Sequence, residues 1–187
     1  MPNFVKLKSG IDVSGIAKEI EAAPELWNQF PYRTQHPSSP HHQADDIYVR
    51  FNAYENYKND ITKFNDPHLP SWYPAAEKLP SVKKLALWLM NYVEGEILGG
   101  ILITRIPPWK QVKPHIDSGF HAEFYDKFLI NIEAHKGQHF IFENDVLESV
   151  TGDLTCFRND IMHSVVNPTD KQRISLIICI KTGKKLI

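Results

Sequence analysis

From Glu96 onward the chain runs through short segments rich in branched and aromatic residues, at 97–106, 111–115, 127–134, 139–143, 154–157, 163–167 and 173–180. Turn-forming residues separate them: Pro107-Pro108, Ser118-Gly119, Lys136-Gly137, Asn144-Asp145, Gly152-Asp153, Asn159-Asp160 and Pro168-Thr169-Asp170. Short strands at such regular spacing predict an all-β sandwich or barrel. A jelly roll closes a sheet pair of this kind.

The first half reads differently. Ser14 is a candidate cap for a helix carrying Ile16, Ala17 and Ile20, and Pro24 starts a further turn with Leu26, Trp27 and Phe30. Residues 31–44 are rich in Pro, Ser and His and predict a loop. A strand is expected over 46–51, then a long surface excursion over 52–75 with three prolines. Ser81 is a candidate cap for a helix through Tyr92 with Val82, Leu85, Trp88 and Leu89 on one face. The expectation is a single domain over 1–187: a helical and loop-rich flank (1–95) around a double-stranded β-helix core (96–182), mainly β and cupin-like.

Composition sets bounds on function. With 187 residues there is enough chain for one core. A formal net charge of -1 and no basic run argue against nucleic acid as a partner. No apolar run is long enough to span a bilayer, and residues 1–11 lack the apolar stretch of a signal peptide. Cys156 and Cys179 sit in apolar surroundings and read as buried hydrophobes. A cytoplasmic location is the expectation.

The chemistry lies in His115-Ile-Asp117, His163 and Arg173. Two imidazoles and one carboxylate are the ligand set of a non-haem Fe(II) centre that keeps adjacent positions open. His115 and Asp117, two apart, share one face of a strand. His163 opens a later strand, and a barrel can bring it to the same ion. Mn, Co or Ni could occupy the same ligands in vitro. An HxD pair alone is a weak signal. His121-Ala-Glu123 competes with it, and His135 and His139 are further imidazoles. A lone His is more often a satisfied structural residue; the combination with Arg173 and Ser175 raises the signal. Arg173 and Ser175 share a strand face with Ile177 and Cys179, and a guanidinium fork plus a hydroxyl suits a distal carboxylate. The ordinary alternative is a surface salt bridge at a strand end. A buried Arg, however, needs an anionic partner. Together these groups suggest an oxygenase that consumes a keto-acid co-substrate to activate O2.

These residues carry a resemblance. The stretch Thr104-Arg-Ile-Pro-Pro-Trp-Lys-Gln-Val-Lys-Pro-His115-Ile-Asp117 is similar to the metal-binding segment of the aspartyl/asparaginyl β-hydroxylase-like oxygenases, which include bacterial proline hydroxylases. So is Gly152-Asp-Leu-Thr-Cys-Phe-Arg-Asn-Asp-Ile-Met-His163-Ser-Val-Val-Asn167 followed by Gln172-Arg173-Ile-Ser175-Leu. The resemblance covers about 79–181. It implies an Fe(II)- and 2-oxoglutarate-dependent dioxygenase with a double-stranded β-helix, assayed with ascorbate in vitro. His115, Asp117 and His163 match the iron ligands, Arg173 with Ser175 the 2-oxoglutarate C5-carboxylate site, and Thr104 a small hydroxyl position near the co-substrate. Where the family often has Arg-x-His, this chain reads Tyr125-Asp126-Lys127, which leaves Lys127 or Tyr125 to meet the C1 carboxylate. The substrate implied is an amino acid or a peptidyl residue, with O2 consumed and succinate and CO2 released. Residues 31–44 and 52–73 would cover the mouth. Arg50, Tyr54, Trp72 and Trp109 are candidate lining residues, though packing or surface roles are the commoner reading of each. Asn167 and Arg105 are candidate supports for the ligands, with ordinary strand-end roles as the commoner reading. The alternatives from other classes are a cupin-like binding protein without redox chemistry and a non-oxygenase metal enzyme on the same barrel.

Overall fold

In the computed structural model, which describes residues 2–35, 38–184 and 187, strands alternate between two facing sheets. His36 and Pro37, inside the expected 31–44 loop, lie outside the described residues. Eight strands form the frame: β4 (Gly95–Ile106), β5 (Gln111–His115), β6 (Asp126–Glu133), β7 (His139–Phe142), β8 (Val146–Glu148), β9 (Leu154–Phe157), β10 (His163–Val166) and β11 (Arg173–Thr182). The smaller sheet has the order β5-β10-β7-β8, and the larger contains β9-β6-β11-β4. Each crossing between sheets occurs at a Gly, Pro, Asn or Asp break, because a strand must end before the chain can turn to the opposite layer. The result is a jelly roll, or double-stranded β-helix.

The larger sheet extends beyond the expected core. β1 (Phe4–Lys8) pairs with β9, and β2 (Asp45–Phe51) and β3 (Ser71–Trp72) continue the sheet past β4. β1 is short and half polar, so its alternation was too brief to read. It is held by register, with Val5 opposite Cys156, and by a pair between Lys6 and the buried Asp153. α5 (Phe120–Phe124) and β8 were also not foreseen.

Helices α1 (Ser14–Ala22), α3 (Ala75–Lys78) and α4 (Pro80–Tyr92) cover the outer face of the larger sheet, while α2 (Tyr54–Tyr57) lies in the excursion after β2. Neither expected serine caps its own helix. Ser14 is the first residue of α1 and its N–H donates to Asp12 Oδ1 (2.9 Å). Pro80 occupies the first turn of α4, where a missing N–H costs nothing, and Ser81 Oγ donates to Glu19 of α1 (2.6 Å). Trp88 is half exposed, stacked on Tyr92, and Ala86 takes the buried position beside Val82 and Leu89.

Period-two alternation divides β11. Ile174, Leu176, Ile178 and Ile180 enter the core under the helices. Arg173, Ser175 and Ile177 face inward between the sheets. Cys179 is on the same inward face, and both cysteines are free and buried. A second core fills the space between the sheets with Leu129, Phe140, Phe142, Phe157 and Val165.

Gly152 has φ +79 in the turn before β9, and a Cβ there would lie 2.6 Å from the Ile11 carbonyl oxygen. That carbonyl belongs to backbone, which cannot rotate away. Gly152→Ala should therefore cost on the order of 2–3 kcal/mol, read as a lower denaturation midpoint.

Candidate metal centre

β5 and β10 pair antiparallel with His115 directly opposite His163. Both imidazoles emerge on the inner face, with ring centroids 4.4 Å apart. Asp117 lies two residues past the end of β5, not within it. Its position is fixed by its backbone N–H, which donates to the Asn159 carbonyl in the loop before β10 (3.0 Å). Asp117 Oδ1 is 3.4 Å from His115 Nε2, and Oδ2 is 3.7 Å from His163 Nε2. One atom from each of the three lies within 4.8 Å of the others.

The ring orientation is set from behind. His115 Nδ1–H donates to the Lys113 carbonyl and His163 Nδ1–H to the Ile161 carbonyl, each at 2.8 Å. A carbonyl can only accept, so both rings carry their proton on Nδ1 and present a bare Nε2 inward. Such support holds a ligand's tautomer and direction. Burial draws the His163 pKa down, which favours the neutral ring a metal requires. Burial pushes the Asp117 carboxyl up, but the positive charge of Lys127 beside it outweighs this and holds it well below the usual carboxylate range. Lys127 Nζ contacts Asp117 Oδ2 directly. Two bare imidazole nitrogens and an ionised carboxylate on one side of a cavity are donors that fit a divalent ion such as Fe(II).

Two cavities border this cluster and share His115, Asp117 and Lys127 in their linings. The narrower, about 80 Å³, is lined by His115, Asp117 and His163 at one side and by Thr104, Arg173 and Ser175 at the other. Arg173 is 2% exposed. Its Nε donates to Ser149 Oγ and its Nη2 to Asn131 Oδ1, both at 3.0 Å and both neutral. Burial alone lowers its pKa, to about 10. Among the described residues no carboxylate pairs with it. Ser175 stands opposite both Asn131 and Thr104 in the sheet. The Thr104 hydroxyl donates to Asp46 Oδ1 (2.8 Å) and accepts from Arg33 Nη2 (2.8 Å).

The wider cavity, about 480 Å³, opens over the same cluster and is lined by Arg33, His41, Tyr48, Phe51, Phe64 and His121, among others. Arg33 and His41 come from the 31–44 loop. Arg33 is clamped by Asp46 through two bonds (2.9 and 2.7 Å), and His41 meets His115 edge-on at 4.8 Å. Asp46, Tyr48, Asn131 and Ser149 were not singled out from the sequence. Period two on β2 from the expected strand start would have found Asp46 and Tyr48. Nothing local marked Arg33 and His41 within their loop.

Other expected residues are elsewhere. Tyr125 ends α5, and its ring packs on His121 (4.6 Å) and against Gly99, lining neither cavity. A short helix, not an extended strand, precedes β6, and this turns Tyr125 away while Lys127 faces in. Arg50 lies over Trp72 at 5.0 Å. Tyr54 and Trp109 are exposed, and none of these four lines either cavity. Asn167 bonds the Ile106, Pro107 and Lys171 carbonyls, and Arg105 pairs with Asp45 over Trp27. Neither touches a cluster residue. His121 Nε2 accepts from the Gly100 N–H (3.0 Å), and burial takes its pKa down to about 3. Glu123 is exposed, so His121-Ala-Glu123 forms no second cluster. His135 pairs with Glu133.

No family model and no curated protein matches the sequence. Solved structures do. A prolyl-4-hydroxylase from Pseudomonas putida superposes with a TM-score of 0.54 at 13% identity, covering 97% of this chain and 94% of that one. The viral collagen prolyl hydroxylase of Paramecium Bursaria Chlorella virus-1, in its 2OG complex, gives 0.53 at 9% identity over 98% and 97%. An oxidoreductase of the 2OG-Fe(II) oxygenase family from Burkholderia pseudomallei gives 0.52 at 10% identity, over 74% of this chain and 66% of that one. At these identities the likeness is one of fold: this chain has the double-stranded β-helix of those structures.

Proposed function

We propose that the chain is an Fe(II)- and 2-oxoglutarate-dependent oxygenase that hydroxylates an amino acid or a peptidyl residue, with succinate and CO2 as co-products. One observation carries this reading: a buried arginine with no anionic partner among the described residues faces the same narrow cavity as a two-histidine, one-carboxylate cluster. A metal-binding protein without a co-substrate has no use for that guanidinium, which is costly to bury uncompensated. The sequence resemblance to aspartyl/asparaginyl β-hydroxylase-like oxygenases and the fold shared with prolyl hydroxylases and a 2OG-Fe(II) oxygenase support it. The proposal takes 1–187 as one such domain, in the cytoplasm. No helix among the described residues is long and apolar enough to cross a membrane.

Within this reading each residue has a task. His115, Asp117 and His163 hold the metal. Arg173 binds the C5 carboxylate of 2-oxoglutarate through its fork, with Ser175 and Thr104 beside it. With Asp117 taken up in holding a divalent ion, Lys127 would be released from that carboxylate and would meet the C1 carboxylate. Tyr125, lining neither cavity, has no part. Iron and keto acid together supply the oxidising power for an unactivated C–H bond. The chain orients them and excludes water, through Leu129, Phe140, Phe157, Val165 and Ile177 around the narrow cavity.

Purified protein given Fe(II), ascorbate and 2-oxoglutarate should release succinate slowly without any substrate. Metal-loaded protein that releases none would be a cupin-like binding protein instead.

A further inference from the structure

Helix α4 is apolar on two sides. Val82, Ala86 and Leu89 are buried against the sheet. Leu87, Trp88 and Tyr92 point away from them and are 62%, 36% and 45% exposed. Trp88 and Tyr92, four apart with Leu87 beside them, make one outward stripe. A helix that is apolar around most of its girth is ordinarily covered all round. The two rings are already fixed in place. Trp88 stacks on Tyr92 with centroids 5.0 Å apart, and the Tyr92 hydroxyl donates to the Leu7 carbonyl (3.1 Å). Rings held in this way lose little freedom when a partner covers them. Beside the stripe an open groove of about 330 Å³ runs to α1, lined by Asp12, Gly15, Ile16, Lys84, Leu85 and Trp88, among others.

Charge runs along α4 against its dipole. Lys84 lies toward the N-terminal end, which is positive, and Glu94 just past the C-terminal end, which is negative. Both are exposed, and among the described residues neither side chain has a partner. A second α4 laid antiparallel corrects both mismatches. It brings the partner's Glu94 to Lys84 and puts Glu94 beside the partner's Lys84. A face with exposed side chains next to a groove is also complementary to itself under a two-fold rotation. Trp and Tyr beside lysine also suit a membrane surface, but Asp12 in the groove and Glu94 at the end of the stripe would be repelled by anionic headgroups.

We propose that the outward face of α4 is an interface for a second copy of this chain, the two α4 helices packing antiparallel about a two-fold axis near Trp88. No α4 residue lines either cavity at the candidate metal centre, so the interface stands apart from it. One helix face is smaller than the roughly 800 Å² that each partner gives a standard interface, so the dimer is a weak one.

Sedimentation of the full chain between about 1 and 200 µM should show monomer and dimer in exchange, with a Kd on the order of 10 µM. Trp88→Glu should remain monomeric throughout that range, with its thermal midpoint and Mn(II) affinity unchanged. Leu87→Asp, at the most exposed of the three positions, should do the same. Lys84→Glu and Glu94→Lys should each weaken the dimer about fivefold, because an exposed pair is worth little alone but the two-fold repeats it. The double variant restores opposite charges across the interface and should recover the wild-type constant. A wild-type chain that stays monomeric would overturn the proposal. So would a dimer that survives both Trp88→Glu and Leu87→Asp, or a double variant no tighter than either single one. Binding to phosphatidylcholine–phosphatidylserine vesicles without any dimer in solution would give the stripe to a membrane instead.

Discussion

Arg173→Met is expected to weaken 2-oxoglutarate binding by at least about 30-fold, the lower end of the 2–5 kcal/mol lost when one side of a buried charge pair is truncated. The same change should leave the thermal midpoint of the ligand-free protein unchanged or raise it. Without ligand the guanidinium is desolvated and, among the described residues, bonded only to the Ser149 hydroxyl and the Asn131 amide oxygen. Methionine fills similar space without a charge to desolvate, and such replacements are often neutral or stabilising. Two hydrogen-bond acceptors lose a donor, which offsets part of that gain. Calorimetric titration and thermal unfolding on one sample read both effects. An unchanged affinity would remove Arg173 from the co-substrate site, and a large fall in the ligand-free midpoint would make it structural.

Asp117→Ala should lower divalent-metal affinity by more than about 100-fold, beyond what losing a supporting contact to a ligand costs. A second effect appears without metal. Burial raises the Asp117 pKa, but Lys127 more than reverses this, so the folded-state pKa lies below that of the unfolded chain. A depressed carboxylate contributes stability that is fully present above about pH 4 and is lost as pH falls further. Asp117→Ala lacks that contribution and leaves Lys127 without its partner. It should unfold more readily at neutral pH and show a shallower loss of stability on acidification below pH 4. Metal binding by dialysis and acid titration followed by circular dichroism check the two halves. Wild-type metal affinity in this variant would remove the carboxylate from the centre.

The barrel strands were legible because each is a run of branched residues bounded by a break, and period two then placed Arg173, Ser175 and Ile177 on one face. The candidate site was legible where its residues obey such local rules, as Arg173 and Ser175 do on β11; Asp117, past the end of β5, is placed instead by its bond to the Asn159 carbonyl. The hidden residues depend on pairing between distant strands. Asn131 reaches Arg173 through the register of β6 against β11, and Ser149 through the turn after β8. Arg33 and His41 arrive on a loop whose path is set by Asp46 and the Ser39 hydroxyl, which no periodicity announces. Tyr125 was misplaced because a helix of five residues, too short for a helical pattern, interrupts the run-in to β6. β1 is equally brief, and its place is decided by the edge of β9.

A crystal structure of the protein with Mn(II) and 2-oxoglutarate, with anomalous scattering to locate the ion, tests the central claim most directly. The predicted result is one ion bonded by His115 Nε2, His163 Nε2 and an Asp117 oxygen, each at about 2.0–2.3 Å, with the distal carboxylate of the keto acid on the Arg173 guanidinium. An ion held elsewhere, or density at these three side chains that contains none, would contradict it.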